Sequence, residues 1–189
     1  MKLTPAILTL AALSGLATLP LAGCASSEKQ ETKTSSRRQN LESEASAAIA
    51  AFKAADPSLA TWFNTAAGYV VFPKVAKGGA IVGGAGGDGV VYKNGQVIGY
   101  SELSQGSVGL QLGGQVYRQV IFFESENALK NFKQGNLEFA GQASAVAVTS
   151  GGATNVPYKN GVAVFSHTDG GLMFEAGIGG QHFSFTPVN

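Results

Sequence analysis

Hydrophobic patterning divides the chain into segments of different character. Leu3 to Leu19 form an apolar run broken only by Thr, Ser, Gly and Pro5, whereas Ala25 to Asn40 hold no large apolar residue. The first run follows Met1 and Lys2, is short, and lacks a charged stop-transfer flank, so it reads as the h-region of a secretory signal over residues 1–23. The second stretch has no face to bury, which predicts a flexible tether up to residue 40. Leu41, Ala45, Ala48, Ile49 and Phe52 then recur at helical spacing, with Glu42 and Glu44 early in the run where the helix dipole favours anions. Asp56-Pro57 ends that helix, and Ser58 is a good N-cap for a shorter one with Leu59, Trp62, Phe63 and Ala66 on one stripe. A membrane-contacting amphipathic segment would carry a cationic polar face. Lys53 is the main cation here, so the favoured reading is two helices packed on a core.

From Gly68 onward the period changes. Short Val, Ile, Phe and Tyr runs punctuated by glycine, such as Gly68-Tyr69-Val70-Val71-Phe72 before Pro73, predict strands. Asn94-Gly95 and Asn160-Gly161 are hairpin signals, because a type I′ turn needs positive φ at both central residues. One helix interrupts the strands: it opens at Ser125, carries Leu129 and Phe132 on one side, and stops at Gly135. Tyr-Lys-Asn-Gly occurs at Tyr92 and again at Tyr158, and Gly-Gly-Gln follows each at the same distance, at Gly113 and Gly179. The pattern predicts an α+β fold. Its glycine-rich antiparallel sheet or barrel-like body holds two internal β-repeats, with amphipathic helices before them and one helix between them.

Composition sharpens this picture by exclusion. Thirteen Lys and Arg against twelve Asp and Glu give no basic excess, which argues against nucleic acid as a partner. One Cys and two His exclude an internal disulfide and are too few for a usual structural zinc site. Of 26 glycines, only Gly15 and Gly23 precede Gly68. The single Cys closes the tetrapeptide Leu21-Ala22-Gly23-Cys24 at the end of the apolar run. This resembles the lipobox of bacterial lipoproteins, which implies that Cys24 is acylated and becomes the new N-terminus. Several buried acyl chains, at about 0.8 kcal/mol per CH₂, would hold the protein to a membrane without spanning it. Ala25 stands where an Asp tends to retain such lipoproteins at the inner membrane, so the resemblance favours the outer membrane, with the chain facing the periplasm.

Several apparent chemical motifs fail in context. Gly84-Ala85-Gly86-Gly87-Asp88-Gly89 fits GxGxxG, but Val90, Val91 and Tyr92 follow where a dinucleotide site needs a helix. Gly83 to Val91 matches a calcium-binding nonapeptide, a motif that works by stacking many copies, and this chain has one. Ser166, His167 and Asp169 are too close in sequence for a relay, and there is no GxSxG, no HExxH and no spare Cys nucleophile. The expectation is a non-enzyme with no cofactor and no metal.

The run GYVVFPKVAKGGAIVGGAGGDGVVY, then SVGLQLGGQVYRQVIFF, the ALKNF helix, the SAVAV run and the closing GLMFEAGIGGQHF resemble the SYLF domain, also called the Ysc84-type actin-binding or lipid-binding domain. The resemblance covers about Leu41 to Val188, setting a domain at 41–189 after the lipidated Cys24 and tether. It implies lipid binding, with anionic phospholipid head groups as the expected partner. Actin is not expected for an exported protein. Lys74, Lys77, Arg118, Lys130 and Lys133 are the candidate phosphate contacts, and the glycine backbone is a candidate anion nest. The bland alternative is that the cations are a solvated face and that glycine permits crowded, twisted strands. The competing function is a non-catalytic structural or interaction lipoprotein that engages another envelope protein.

Overall fold

In a computed structural model of the chain, residues 24–79, 82–108, 114–136, 145–147, 151–168, 171–175 and 180–188 are described. Two compact units divide it, Met1–Ser35 and Ser36–Asn189. The described elements are α1 (Cys24–Ala55), α2 (Leu59–Thr65), β1 (Gly68–Gly79), β2 (Val82–Lys93), β3 (Gln96–Val108), β4 (Gly114–Phe123), α3 (Glu126–Lys133), β5 (Ala145–Ala147), a 3₁₀ turn (Gly152–Asn155), β6 (Val162–Thr168), β7 (Gly171–Glu175) and β8 (Gln181–Pro187). The expected α+β class is what forms. The signal segment 1–23 lies outside the described residues, as does Asp169. The expected tether is different: its backbone is helical from Cys24, continuous with the Leu41 helix. Lack of an apolar residue removes packing, not helix propensity, and this stretch contains Glu, Lys, Gln and Arg with no Gly or Pro. Glu42 and Glu44 consequently lie in mid-helix rather than near an N-terminus.

The strands form one antiparallel sheet in the order β5-β7-β6-β4-β1-β2-β3-β8. It is open, with β5 and β8 at its ends, which decides between the sheet and the closed barrel. The sheet nevertheless curls. Buried Gln119 on β4 donates from Nε2 to Oε1 of Gln181 on β8 at 3.1 Å, although four strand pairings separate those two strands. The seam is made by side chains, with no ladder between β4 and β8 among the described residues.

The buried apolar residues of the strands divide between two cores, following the period of two. Tyr69, Val71, Val120, Phe122, Ala163 and Phe165 pack under Ala45, Ala48 and Phe52 of α1 and Leu59, Trp62 and Phe63 of α2. Val70, Phe72, Ile121, Phe123, Val162 and Val164 pack under Leu129 and Phe132 of α3, with Phe183 and Phe185 of β8 against them. The helical stripes over Leu41–Ala66 are therefore core-facing. Trp62 sits 4.8 Å from Tyr158 and 5.5 Å from both Phe122 and Phe165, ring centre to ring centre.

Asp56, rather than Ser58, organises the break between α1 and α2. The Ser58 side chain makes no capping bond. The Asp56 carboxylate instead accepts from the Ser58 N–H at 2.9 Å and from the Ala153 N–H at 3.0 Å, while the Trp62 indole N–H donates to the Ala153 carbonyl at 3.1 Å. A fully buried residue of the 3₁₀ turn, 97 positions away in sequence, is thus held at both its polar groups.

Both Asn-Gly pairs adopt the expected turn. Asn94 and Gly95 have φ of 52° and 76°, Asn160 and Gly161 of 52° and 79°. The first joins β2 to β3, and the second closes a two-bond bridge between Lys159 and Val162. The units around them differ: one long strand, β3, follows the first turn, whereas β6 and β7 divide the equivalent span after the second. Ser125 caps α3 as expected, accepting from the Ala128 N–H, and Gly135 at φ 70° ends it.

Candidate functional site

Strand β1 is irregular at one place. Upstream it pairs Val71 with Val90 and Phe72 with Gln119; downstream it pairs Ala76 with Gly86 and Val75 with Tyr117. Both ladders slip by a single residue across Pro73-Lys74, which defines a β-bulge at the one residue in β1 that cannot donate a hydrogen bond. Phe72 and Val75 consequently share the α3 face, and Lys74 turns to the other side, exposed. The glycine run of β2 makes room for this. A Cβ on Gly87 would lie 2.4 Å from the Lys74 carbonyl oxygen, and one on Gly89 would lie 2.6 Å from the Phe72 ring.

Beside the bulge lies a cavity of about 370 Å³ lined by Glu44, Ala47 and Ala48 of α1, Pro73 and Lys74 of β1, and Val116, Tyr117 and Arg118 of β4. Residues 44, 47 and 48 are helix-surface neighbours. The small side chains of Ala47 and Ala48 leave the gap, and buried Ala48 seats the helix on the sheet. Val116 and Arg118 share the strand face of buried Val120 and Phe122, so β4 presents them to α1. Val116 is 59% exposed.

Of the five expected cations, Lys74 and Arg118 meet in this groove. Lys77 is half-buried two positions beyond Val75, on Val75's side of β1. Lys130 and Lys133 are exposed on α3, and the Lys133 ammonium lies 5.2 Å from the centre of the Phe185 ring. The cations are thus divided between two faces. The anion-nest reading fails at the glycine run, because residues 83–89 are laddered into β3. Asp88 within it pairs with Arg37 at 2.7 Å. Glu44 and Val116 were missed as site residues. The readable signal was Pro73, whose place inside a strand pattern marks a bulge.

Ser166 and His167 lie on opposite faces of β6. Ser166 is buried, and the His167 ring meets Phe52 edge-on at 6.0 Å. Tyrosine environments around the α1 face are strongly perturbed. Burial, then the hydrogen bond from its hydroxyl to Glu42 at 2.6 Å, pushes Tyr100 up to about 12. Tyr92 and Tyr158 also rise to about 12, chiefly through burial. Among the described residues no helix is long and apolar enough to cross a membrane.

An open, curled antiparallel sheet with helices on both faces and one mixed-charge groove has the build of a binding domain. Residues 104–184 match the Ysc84 family, described as Las17-binding protein actin regulator, which bears out the resemblance to the SYLF domain over that stretch. The match covers 81 of the chain's 189 residues. It takes in β4 with Arg118 and α3 with Lys130 and Lys133; Glu44 and Lys74 lie before it. None of the curated proteins matches this chain.

Proposed function

We propose that the protein is a non-catalytic bacterial lipoprotein, acylated at Cys24 and facing the periplasm from the outer membrane, whose SYLF-like domain binds anionic phospholipid head groups. The observation that carries the lipid reading is the convergence of Lys74 and Arg118 in one groove beside exposed Val116. Two cations from different strands can grip one phosphate, with the Arg fork supplying paired N–H donors. The sequence around Cys24 supports the anchor, which would leave the domain close to a lipid surface. Lys77, Lys130 and Lys133 then act as diffuse attraction rather than as ligands.

The test is sedimentation of the Cys24→Ser protein with vesicles. Binding to phosphatidylglycerol-containing vesicles and not to phosphatidylcholine alone, weakening as salt rises, is the expected result. Absence of that preference at low salt would move the proposal to interaction with another envelope protein, for which exposed Val116 would be the natural contact. Mass spectrometry of the mature protein tests the anchor separately: an unmodified Cys24, or a chain retaining Met1, refutes it.

A further inference from the structure

The groove contains a group that phosphate binding alone does not use. Glu44 lines the same cavity as Lys74 and Arg118, and a carboxylate on that wall repels a simple phosphate. A zwitterionic head group reverses the argument. Its phosphate faces the two cations, and its ammonium presents three N–H donors to the carboxylate. The rest of the lining is small or apolar, with Ala47, Ala48, Pro73 and Val116 among it, and about 370 Å³ falls within the size range of small-molecule sites. The surroundings favour a lipid over a soluble phosphate ester. Val116 is directly opposite Ala76 in the β1–β4 ladder, and both are exposed, so an apolar lip adjoins the charged groups. Glycerol and acyl carbons attached to the phosphate would cover that lip.

We infer that the groove receives the head group of an amine-bearing phospholipid, with the phosphate between Lys74 and Arg118 and the ammonium at Glu44. This rests on the lipid-binding proposal and refines it. The two cations hold the phosphate of either head group, and Glu44 discriminates among head groups by their amine.

The experiment compares the Cys24→Ser protein on vesicles of phosphatidylcholine alone, phosphatidylcholine with phosphatidylethanolamine, and phosphatidylcholine with phosphatidylglycerol. Although the first two are both neutral, the ethanolamine vesicles should bind more tightly by about threefold to fivefold, the range one partly exposed ion pair supplies. Glu44→Gln should erase that gain and strengthen glycerol-vesicle binding, because it removes a carboxylate that repels the phosphate. Lys74→Ala with Arg118→Ala should weaken both. Circular dichroism of each variant checks folding, which exposed positions 44, 74 and 118 leave intact. If glycerol vesicles bind but ethanolamine adds nothing, or Glu44→Gln weakens both equally, the amine inference is overturned and lipid binding stands. Binding to no vesicle at all overturns both.

Discussion

Asp56 ties the two ends of the folded unit together, and its removal is the most demanding test of the fold. In Asp56→Ala the Ala153 and Ser58 N–H groups lose their acceptor. The Ala153 bond is buried, and a hydrogen bond to a charged group contributes about 1.5–3 kcal/mol. The Ser58 bond is only part-buried and will recover some solvation. Against these losses stands the carboxylate's own desolvation, which the variant no longer suffers. The net expectation is a loss of about 3 kcal/mol, or roughly 6–12 °C in Tm for a domain of this size. Asp56→Asn retains one acceptor oxygen and should lose about half as much. Acid supplies an independent check. Burial pushes the Asp56 carboxyl upward, but the hydrogen bonds from Ala153, Ser58 and Gly151 together outweigh it and hold it below the ordinary 3.8. A carboxyl lowered by folding contributes stability above its unfolded value, and that contribution disappears as pH falls through the folded value. The gap between wild type and Asp56→Asn should therefore be full at neutral pH and narrow only below about pH 4. Urea denaturation followed by circular dichroism measures it, with a lower midpoint at unchanged slope. A variant melting within about 2 °C of wild type, or a gap insensitive to acid, would refute the clamp.

Trp62 is the single tryptophan and is 9% exposed, so native emission should be blue-shifted and move red on unfolding; Trp62→Ala should cost about 3–5 kcal/mol, measured by denaturant titration. Tyr92, Tyr100 and Tyr158 should ionise near 12 in an ultraviolet titration of the folded protein. Because folding raises these values, their contribution is complete below the ordinary value near 10 and is lost as pH climbs towards 12; full ionisation at about 10 in a folded sample would contradict the burial argument. Lys74→Glu with Arg118→Glu should abolish binding to phosphatidylglycerol vesicles, whereas Lys130→Glu with Lys133→Glu should reduce it by less than about tenfold through diffuse charge alone; equal losses would show that the groove has no special role.

The elements were legible where local chemistry dictates them. Asn-Gly imposes its turn whatever surrounds it, Ser125 caps its helix, and the stripe from Ala45 to Phe63 has one face to bury. Legibility stopped where geometry is decided between distant segments. No local pattern announces that the Asp56 carboxylate will find the Ala153 N–H, or that Gln119 and Gln181 will meet across a curled sheet. The repeat was legible at its turns and not in the strands beyond them, for a related reason. A turn motif fixes four residues, while the partners available to the strands beyond it differ, so β3 stayed whole and its counterpart folded back into β6 and β7. At the site, Lys74 and Arg118 could be named as cations, but β4 and the bulge place them together, and α1 adds Glu44. The reading of glycine as room for crowded strands was the sound one, against the nest.

The glycine run and the bulge should be energetically coupled, and deleting Pro73 exposes the coupling. Since both flanking ladders slip by one residue there, the deletion restores continuous register with β2 and β4 simultaneously. It also keeps Phe72 and Val75 on the α3 face and Lys74 on the other, because these three then alternate. In the wild-type background Gly87→Ala drives a Cβ to 2.4 Å from a backbone oxygen, which no rotamer can relieve, and should cost about 2 kcal/mol. In the deletion background the obstructing carbonyl no longer bulges over β2. There the substitution should be close to neutral, since alanine also lowers the entropy of the unfolded chain by an amount worth about 0.4–1 kcal/mol. Four proteins, wild type, each single change and both together, form a cycle read by urea denaturation, with an expected coupling above about 1 kcal/mol. Additivity within about 0.5 kcal/mol would mean that Gly87 does not make room for the bulge. Vesicle binding follows the same logic at the functional level. The deletion leaves Lys74 on its face but takes Pro73 out of the groove wall, so the variant should fold and yet bind phosphatidylglycerol vesicles more weakly, separating the shape of the groove from its charge.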